Sequence, residues 1–439
     1  MKGSRFIYTC AASAAIILAL YNAAAVAQNG ASDEATAARY FAEARALCER
    51  DGGKLWGRSL CGPMMFAAPS TRTAYASQPD TGGVFKRSGD VYVGILPPTI
   101  NIANTAFEWE GVNWMLVNFT TIPAEKHRRA AMLMHELWHR QQAELGFPAS
   151  GVANDHLDTR EGRVWLQLEW RALASALASR GPRRSRAVSD ALLFRARRRS
   201  LFPHASAEER EMEMHEGLAE YTGVRLSGSP DPARFVIDVN LSEESRRESF
   251  VRSFAYASGP AYGLLLDEAA PGWTRRLRKD DDLAKLLRAR LRLARPRDGE
   301  HEAAKRARVY GGEELTATES RREEERRRQV ADYRARLVEG PVLSLPLRNM
   351  SMSFDPGQLV PLEGLGTVYS TIRVVDEWGV LSVVQGGALL NKSFSAVNVP
   401  APSDAAARPL RGAGWTLQLN RGWSLAPGAR QGDFVLKKN

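Results

Sequence analysis

The chain has 439 residues, more than one hydrophobic core usually organises, so two or three domains are expected. With 44% hydrophobic and 25% charged residues it has neither a disordered nor a fibrous composition. Its three cysteines include no Cys-x-x-Cys pair, which argues against a cysteine-bound metal, and its net charge of +10 permits contact with an anionic envelope surface.

Residues 1–27 read as a signal peptide. Lys2 and Arg5 precede the apolar run AASAAIILALYNAAAVA, and Ala25-Val26-Ala27 is a small-x-small cleavage site. The expectation is a secreted or periplasmic protein whose mature chain begins near Gln28. An uncleaved anchor is the alternative, disfavoured because the leucine-rich part is short for a membrane span. Cleavage leaves Cys48 and Cys61. Export permits a disulfide between them, worth roughly 3 kcal/mol by loop closure; two buried thiols are the alternative.

Residues 28–122 read as a small mixed α/β region. DEATAARYFAEARALCERD has helical spacing, whereas DVYVGILPP and VNWMLVNF are β-branched and aromatic, bounded by turn residues. VNWMLVNF is expected to be an edge strand bordering the cleft, where an extended peptide adds to the sheet.

Residues 123–340 read as helical. In AAMLMHELWHRQQAEL, His135 and His139 lie one turn apart on one helix face, and Glu136 is offset by about 100°. Gly146 and Pro148 then stop the helix. This H-E-x-x-H spacing lets two imidazoles share one metal while the glutamate reaches water beside it. The bland alternative is two surface histidines on an amphipathic helix. A hydrolytic zinc site takes three protein ligands and keeps a fourth position open.

Glu216 in HEGLAEYTG is the preferred third ligand, with Glu220 one turn further to hydrogen-bond the outer nitrogen of a ligand histidine. Asp158 and Glu161, in HLDTREG, are its rivals; their ordinary role is the acidic first turn of a helix. His215 reads as a structural or rim residue, and His127, His156, His204 and His301 have no partner spacing.

The rest of this region reads as scaffold. LDTREGRVWLQLEWRALASALASR is amphipathic and ends at Gly181-Pro182. RGPRRSRAVSDALLFRARRRS is expected to be an exposed, arginine-coated helix, and Ser206 with Glu209 a capping box. FAYASGPAYGLLLD offers Tyr256 and Tyr262 as donors to a reaction oxyanion, core packing being the alternative. The later charged helices read as solvated faces, too poor in aromatics for a nucleic-acid partner.

Residues 341–439 read as a β-domain. Trp415, Leu417 and Leu419 alternate with Thr416, Gln418 and Asn420, the pattern of a half-buried strand.

At HELWH and EGLAEY the sequence resembles the gluzincin metallopeptidases, the thermolysin-like and peptidase-MA-like group. That resemblance implies a zinc ion held by His135, His139 and Glu216, with Glu136 as general base, Glu220 supporting a ligand, and a peptide or protein substrate. The Gly-x-Met-Glu-Asn motif of the aminopeptidase branch is absent, and AFEWEGVNWMLVNF stands in that region instead. The expected fold is α+β, with a mainly helical zincin-like catalytic domain between the mixed segment and the all-β domain. The second functional reading is a non-catalytic exported binding protein that keeps the metal fold.

Overall fold

The computed structural model describes residues 32–97, 100–147, 149, 151–152, 154–294, 296–354 and 359–439. The expected leader and Pro148 lie outside the described residues. The fold is α+β, about 47% helix and 21% strand, with sheets in the N- and C-terminal parts. No helix among the described residues is long and apolar enough to cross a membrane. The chain divides into two units. The first holds the described residues up to Val152, then Glu169–Glu244 and Phe254–Gly299; the second holds Asn154–Leu168, Ser245–Ser253 and Glu300–Asn439.

The first unit opens with helix α1 (residues 32–51). Six strands follow: β1 (Met64–Ala67), β2 (Thr73–Ala76), β3 (Lys86–Ser88), β4 (Val91–Ile95), β5 (Thr105–Trp109) and β6 (Val112–Asn118). They form one sheet in the order β3-β4-β2-β1-β6-β5. β6 runs parallel to β1 and antiparallel to β5, so VNWMLVNF is an inner strand and not the expected edge. The physical reason is in its residues. Trp114 to Val117 form a continuous apolar run, fully buried, which only a strand covered on both faces can hide. The sheet margin on this side is β5.

Helix α2 (Lys126–Gln141) packs on β5 and β6. Glu125 caps its start, its carboxylate accepting from the amides of His127 and Arg128. Helix α3 (Arg160–Ala178) follows, its first half in the second unit and its second half in the first. Gly181 and Pro182, read from sequence as a stop, open the next helix, α4 (Gly181–Leu201), with the proline in its first turn. Helices α5 (Ala205–Met212) and α6 (Leu218–Leu226) are joined without a break by a wide turn, Glu213–Gly217, in which the Leu218 amide bonds the Glu213 carbonyl five residues back. A second such turn, Val236–Leu241, lies between α7 (Pro232–Phe235) and α8 (Ser242–Glu244). Helices α9 (Phe254–Ala269) and α10 (Leu283–Arg290) complete the unit.

Arg183 and Arg186 at the start of α4 are exposed, as expected of a coat, but two later arginines overturn that expectation. Arg195 and Arg198 are 2% and 0% exposed. Arg195 bonds Glu169 at 2.7 Å and Glu213 at 2.6 and 2.8 Å; Arg198 bonds Glu169 at 2.5 Å and Glu209 at 2.7 and 2.8 Å. Burial costs a guanidinium its hydration, and paired, fork-shaped carboxylate contacts are the arrangement that offsets it. Glu209 is thereby taken out of the expected capping box, and His204, not Ser206, precedes α5. The network ties α3, α4, α5 and the Glu213–Gly217 turn into one body.

Cys48 and Cys61 form the disulfide, with Cα atoms 5.3 Å apart. Inside the loop they close, the Trp56 indole N–H donates to Thr222 Oγ1 of α6 at 2.9 Å, and its ring packs against Trp138 of α2. The bridge therefore anchors a wedge between α2 and α6.

In the second unit, α11 (Gly299–Ala307) and α12 (Gly312–Arg334) precede twelve strands. These are β7 (Val342–Pro346), β8 (Ser351–Phe354), β9 (Leu359–Leu362), β10 (Gly366–Tyr369), β11 (Ile372–Asp376), β12 (Gly379–Val383), β13 (Ala388–Asn391), β14 (Ala396–Pro400), β15 (Leu410–Gly412), β16 (Trp415–Leu419), β17 (Trp423–Pro427) and β18 (Phe434–Lys438). One sheet runs β17-β18-β7-β14-β13-β10-β9 and the other β15-β16-β12-β11-β8. Leu343, Leu345 and Val397 of the first meet Val374, Leu381 and Leu417 of the second in a common core. In β16 Trp415 and Leu417 are buried while Thr416 and Gln418 are exposed, as the alternation predicts.

Candidate metal centre

Three helical segments of the first unit converge on one point. α2 brings His135 and His139, the Glu213–Gly217 turn brings Glu216, and α9 brings Tyr256. Small residues let them approach. A Cβ added at Gly223 of α6 would lie 2.4 Å from the Ala131 carbonyl oxygen of α2. A Cβ at Gly259 of α9 would lie 2.3 Å from the Gly217 Cα. Real Cβ contacts are never so short, so both crossings require glycine.

The wide turn has a positional effect. An i→i+5 turn carries one residue more than an α-helical turn and shifts the phase of the helix beyond it, and such turns are frequent at functional sites. Here it places Glu216 on the cluster, and Glu220, in the first turn of α6, still reaches His135.

His135 Nε2 and His139 Nε2 are 3.0 Å apart; Glu216 Oε2 lies 3.6 Å from the first and 3.4 Å from the second. A tetrahedral ion with bonds of about 2.05 Å sets its donors about 3.3 Å apart, so these three edges fit a zinc-sized cation. The other ring nitrogens are engaged. His135 Nδ1 lies 2.8 Å from Glu220 Oε2, and His139 Nδ1 lies 2.7 Å from Gln142 Oε1. Both outer partners are acceptors, so each Nδ1 carries its proton and each Nε2 turns a lone pair inward. Two lone pairs and a carboxylate oxygen facing one another could hold a cation between them. Among the described residues this is the one group with metal-ligand geometry.

The electrostatics agree. Burial works against a charged His135, but hydrogen bonds with Glu216 and Glu220 outweigh it and raise its imidazole to about 10. Burial also opposes the charged Glu216, yet His135 and His139 hold its carboxyl far below the usual range. Without a metal the cluster would therefore keep a proton, which an arriving ion must displace.

Glu136 is 6% exposed, and its buried Oε2 makes no hydrogen bond. Burial raises its carboxyl above the ordinary range, only partly countered by the neighbouring imidazoles. Tyr256 donates to Glu216 Oε2 at 2.6 Å, and its ring lies parallel to His135 with centroids 5.5 Å apart. Burial, with Glu216 alongside, lifts its phenol well above the usual value, so it remains a donor.

Tyr262 is not brought to this cluster. Its hydroxyl donates to Glu169 at 2.9 Å and its ring lies under Arg195, inside the buried ionic network. The rival ligands also have other tasks. Asp158 accepts the Phe250 amide at 2.7 Å, Glu161 pairs with Arg160, and both belong to the second unit. His215 borders the centre, edge-on to His139 with centroids 5.1 Å apart. His127 meets the Ser227 carbonyl at 3.2 Å.

One participant escaped the sequence reading. Asn240, from the second wide turn, donates to Glu220 Oε1 at 2.7 Å and to the Tyr256 carbonyl at 3.0 Å. It completes a chain from Asn240 through Glu220 to His135. No local spacing marks it, because the contact depends on how the turn folds back.

No protein-family model, curated protein or solved structure matches the chain.

Proposed function

We propose that the protein is an exported zinc-dependent hydrolase of the gluzincin kind, a metallopeptidase with a zincin-like helical domain. The observation that supports this most is the pairing of an inward-facing His135–His139–Glu216 triangle with a buried, unbonded Glu136 carboxylate. A purely structural zinc site usually closes with a fourth protein ligand, commonly cysteine, and both cysteines of the mature chain are in the disulfide. Zinc suits two imidazoles and one carboxylate, and when bound it supplies Lewis acidity to water and to the carbonyl under attack.

The chain's own groups divide the remaining work. Glu136 takes the proton of the attacking water and hands it to the leaving amine. Tyr256 donates to the carbonyl oxygen as that oxygen gains charge. Glu220 and Asn240 hold the His135 ring in the tautomer that turns Nε2 inward. An extended peptide has β5 available as the sheet margin nearest α2, through main-chain hydrogen bonds.

The test is zinc stoichiometry and hydrolysis of a mixed peptide library by the mature protein, beside Glu136→Gln and Glu216→Ala. Glu136→Gln should keep zinc and lose turnover; Glu216→Ala should lose both. Zinc retained with no hydrolysis by the unaltered protein would favour the non-catalytic binding protein instead.

A further inference from the structure

Helix α10 carries a basic, acid-free surface of the first unit. Residues 283–297 hold one lysine and five arginines and no acid. Leu283, Ala284 and Leu287 are buried and fix the inner face of the helix. Lys285, Ala289 and Arg290 are exposed on the other face, and Leu291 and Arg292 are exposed in the turn that follows. Among the described residues the side chains of Lys285, Arg290 and Arg292 have no partner. The acid just before the run, Asp282, is buried and already held by Arg199 and the Lys285 amide.

The turn after α10 has an unusual occupant. The Leu293 amide bonds the Arg288 carbonyl at 3.1 Å, and the Arg292 amide bonds the Ala289 carbonyl at 3.2 Å. This pair of bonds closes a helix around one left-handed residue, ordinarily glycine. Here that residue is Arg292, at φ 54°. Beside it Leu291 is 37% exposed, between two arginines. Cations at a helix C-terminus are favoured by the dipole, which accounts for Arg288 and Arg290. It calls neither for a side chain at the glycine position nor for a leucine in the open next to it.

We infer that α10 and its closing turn dock the protein on an anionic lipid surface. Lys285, Arg290 and Arg292 would meet the headgroup phosphates, and Leu291 would enter the boundary beneath them. A basic helix end with an exposed aliphatic side chain uses both parts of such a surface. A soluble polyanion would use the charges and leave Leu291 in water. The run has no aromatic residue on which nucleic-acid bases could stack. The inference uses no residue of the metal centre and stands whether or not the metal reading does.

The experiment is co-sedimentation of the mature protein with vesicles of phosphatidylcholine alone or with about a third phosphatidylglycerol. Binding should require the anionic lipid. Arg290→Gln/Arg292→Gln should weaken it about 25-fold, each cation near such a surface being worth about fivefold. Arg373→Gln/Arg411→Gln, an exposed pair of the β-domain, removes the same charge and should leave binding nearly unchanged. Arg292→Gly relieves the left-handed residue, so it should raise the melting temperature while weakening vesicle binding about fivefold. Leu291→Ser should weaken vesicle binding severalfold and leave binding of soluble polyphosphate unchanged. Equal binding to neutral vesicles, an equal loss in the β-domain pair, full vesicle affinity in Arg292→Gly, or indifference of vesicle binding to Leu291→Ser would each overturn the inference.

Discussion

Gly217 and Gly259 touch backbone to backbone: the Cβ that any other residue would place at Gly259 falls 2.3 Å from the Gly217 Cα. This contact brings the turn carrying Glu216 against the helix carrying Tyr256. Gly259→Ala should force the two apart. Overpacking of this kind costs about 1–3 kcal/mol, and here the displacement falls on a candidate metal ligand and its hydroxyl partner. Zinc affinity should fall with stability. A variant with unaltered melting temperature and full zinc affinity would show that the crossing relaxes without moving Glu216.

Asn240 bonds Glu220 and the Tyr256 carbonyl, and it reaches the candidate ligand His135 through Glu220. Removing groups that orient a metal ligand typically costs about 10–100-fold in metal affinity. Asn240→Ala should therefore weaken zinc binding about tenfold, measured by competition with a chelator, while the protein stays folded. Glu220→Gln should act in the same direction, since a neutral amide supports the His135 ring less strongly. Equal zinc affinity in both variants would detach this chain of contacts from the metal.

The candidate metal helix is legible in the sequence because its signal is local. His135 and His139 are one turn apart, and any helix through Ala130–Leu145 puts them together. The inner position of β6 is also written in Trp114–Val117, a run with no polar alternation; the expected edge rested on its nearness to the metal helix, which says nothing of strand order. The burial of the α4 arginines is masked by their charge. Val188, Leu192, Arg195 and Arg198 recur at helical spacing and are all buried, so the spacing, not the residue type, carries the signal. The wide turns leave no such trace. Both pack against α9, a contact that no single segment contains.

The disulfide supports α2 and α6 through Trp56. Closing a loop of this length is worth about 3 kcal/mol on the chain-entropy account. Cys48→Ser/Cys61→Ser should lower the melting temperature, and reductant should do the same to the unaltered protein but not to the double variant. Trp56→Phe keeps the bridge but loses the bond to Thr222, so it should cause a smaller drop. Identical melting of the double variant and the parent would dismiss the bridge as a stabiliser.

Asp282 gives the ionic network a signature in acid. Burial alone would raise its carboxyl, but Arg199 and Arg195 outweigh that and hold it below the ordinary value. Because the folded value is the lower one, the folded state binds fewer protons in this range. Its contribution is complete above the unfolded carboxyl value of about 4 and fades as the pH falls through the folded value. Asp282→Asn should cost about 3 kcal/mol at neutral pH, since it leaves Arg199 short of a buried partner. In urea melts the gap between variant and parent should narrow only below about pH 4. A gap constant down to about pH 2.5, or one that narrows already near neutrality, would contradict the assignment.

Tyr256 separates support from catalysis. Its hydroxyl rests on Glu216 Oε2, one of the three converging donor atoms, so it could act merely by fixing that ligand. It could also swing its hydrogen bond to the reacting oxygen, and its raised phenol keeps the proton needed for that. The two roles differ in what Tyr256→Phe removes. A support for Glu216 would lower zinc affinity and activity together. A donor to the developing oxyanion leaves zinc in place and lowers kcat by about a hundredfold, with little change in KM, because the lost bond is made in the transition state. The ring stack on His135 survives in phenylalanine, so folding should be preserved. We expect the second pattern, read from zinc content, kcat and KM on one purified variant. Zinc loss in proportion to activity would assign Tyr256 to positioning alone.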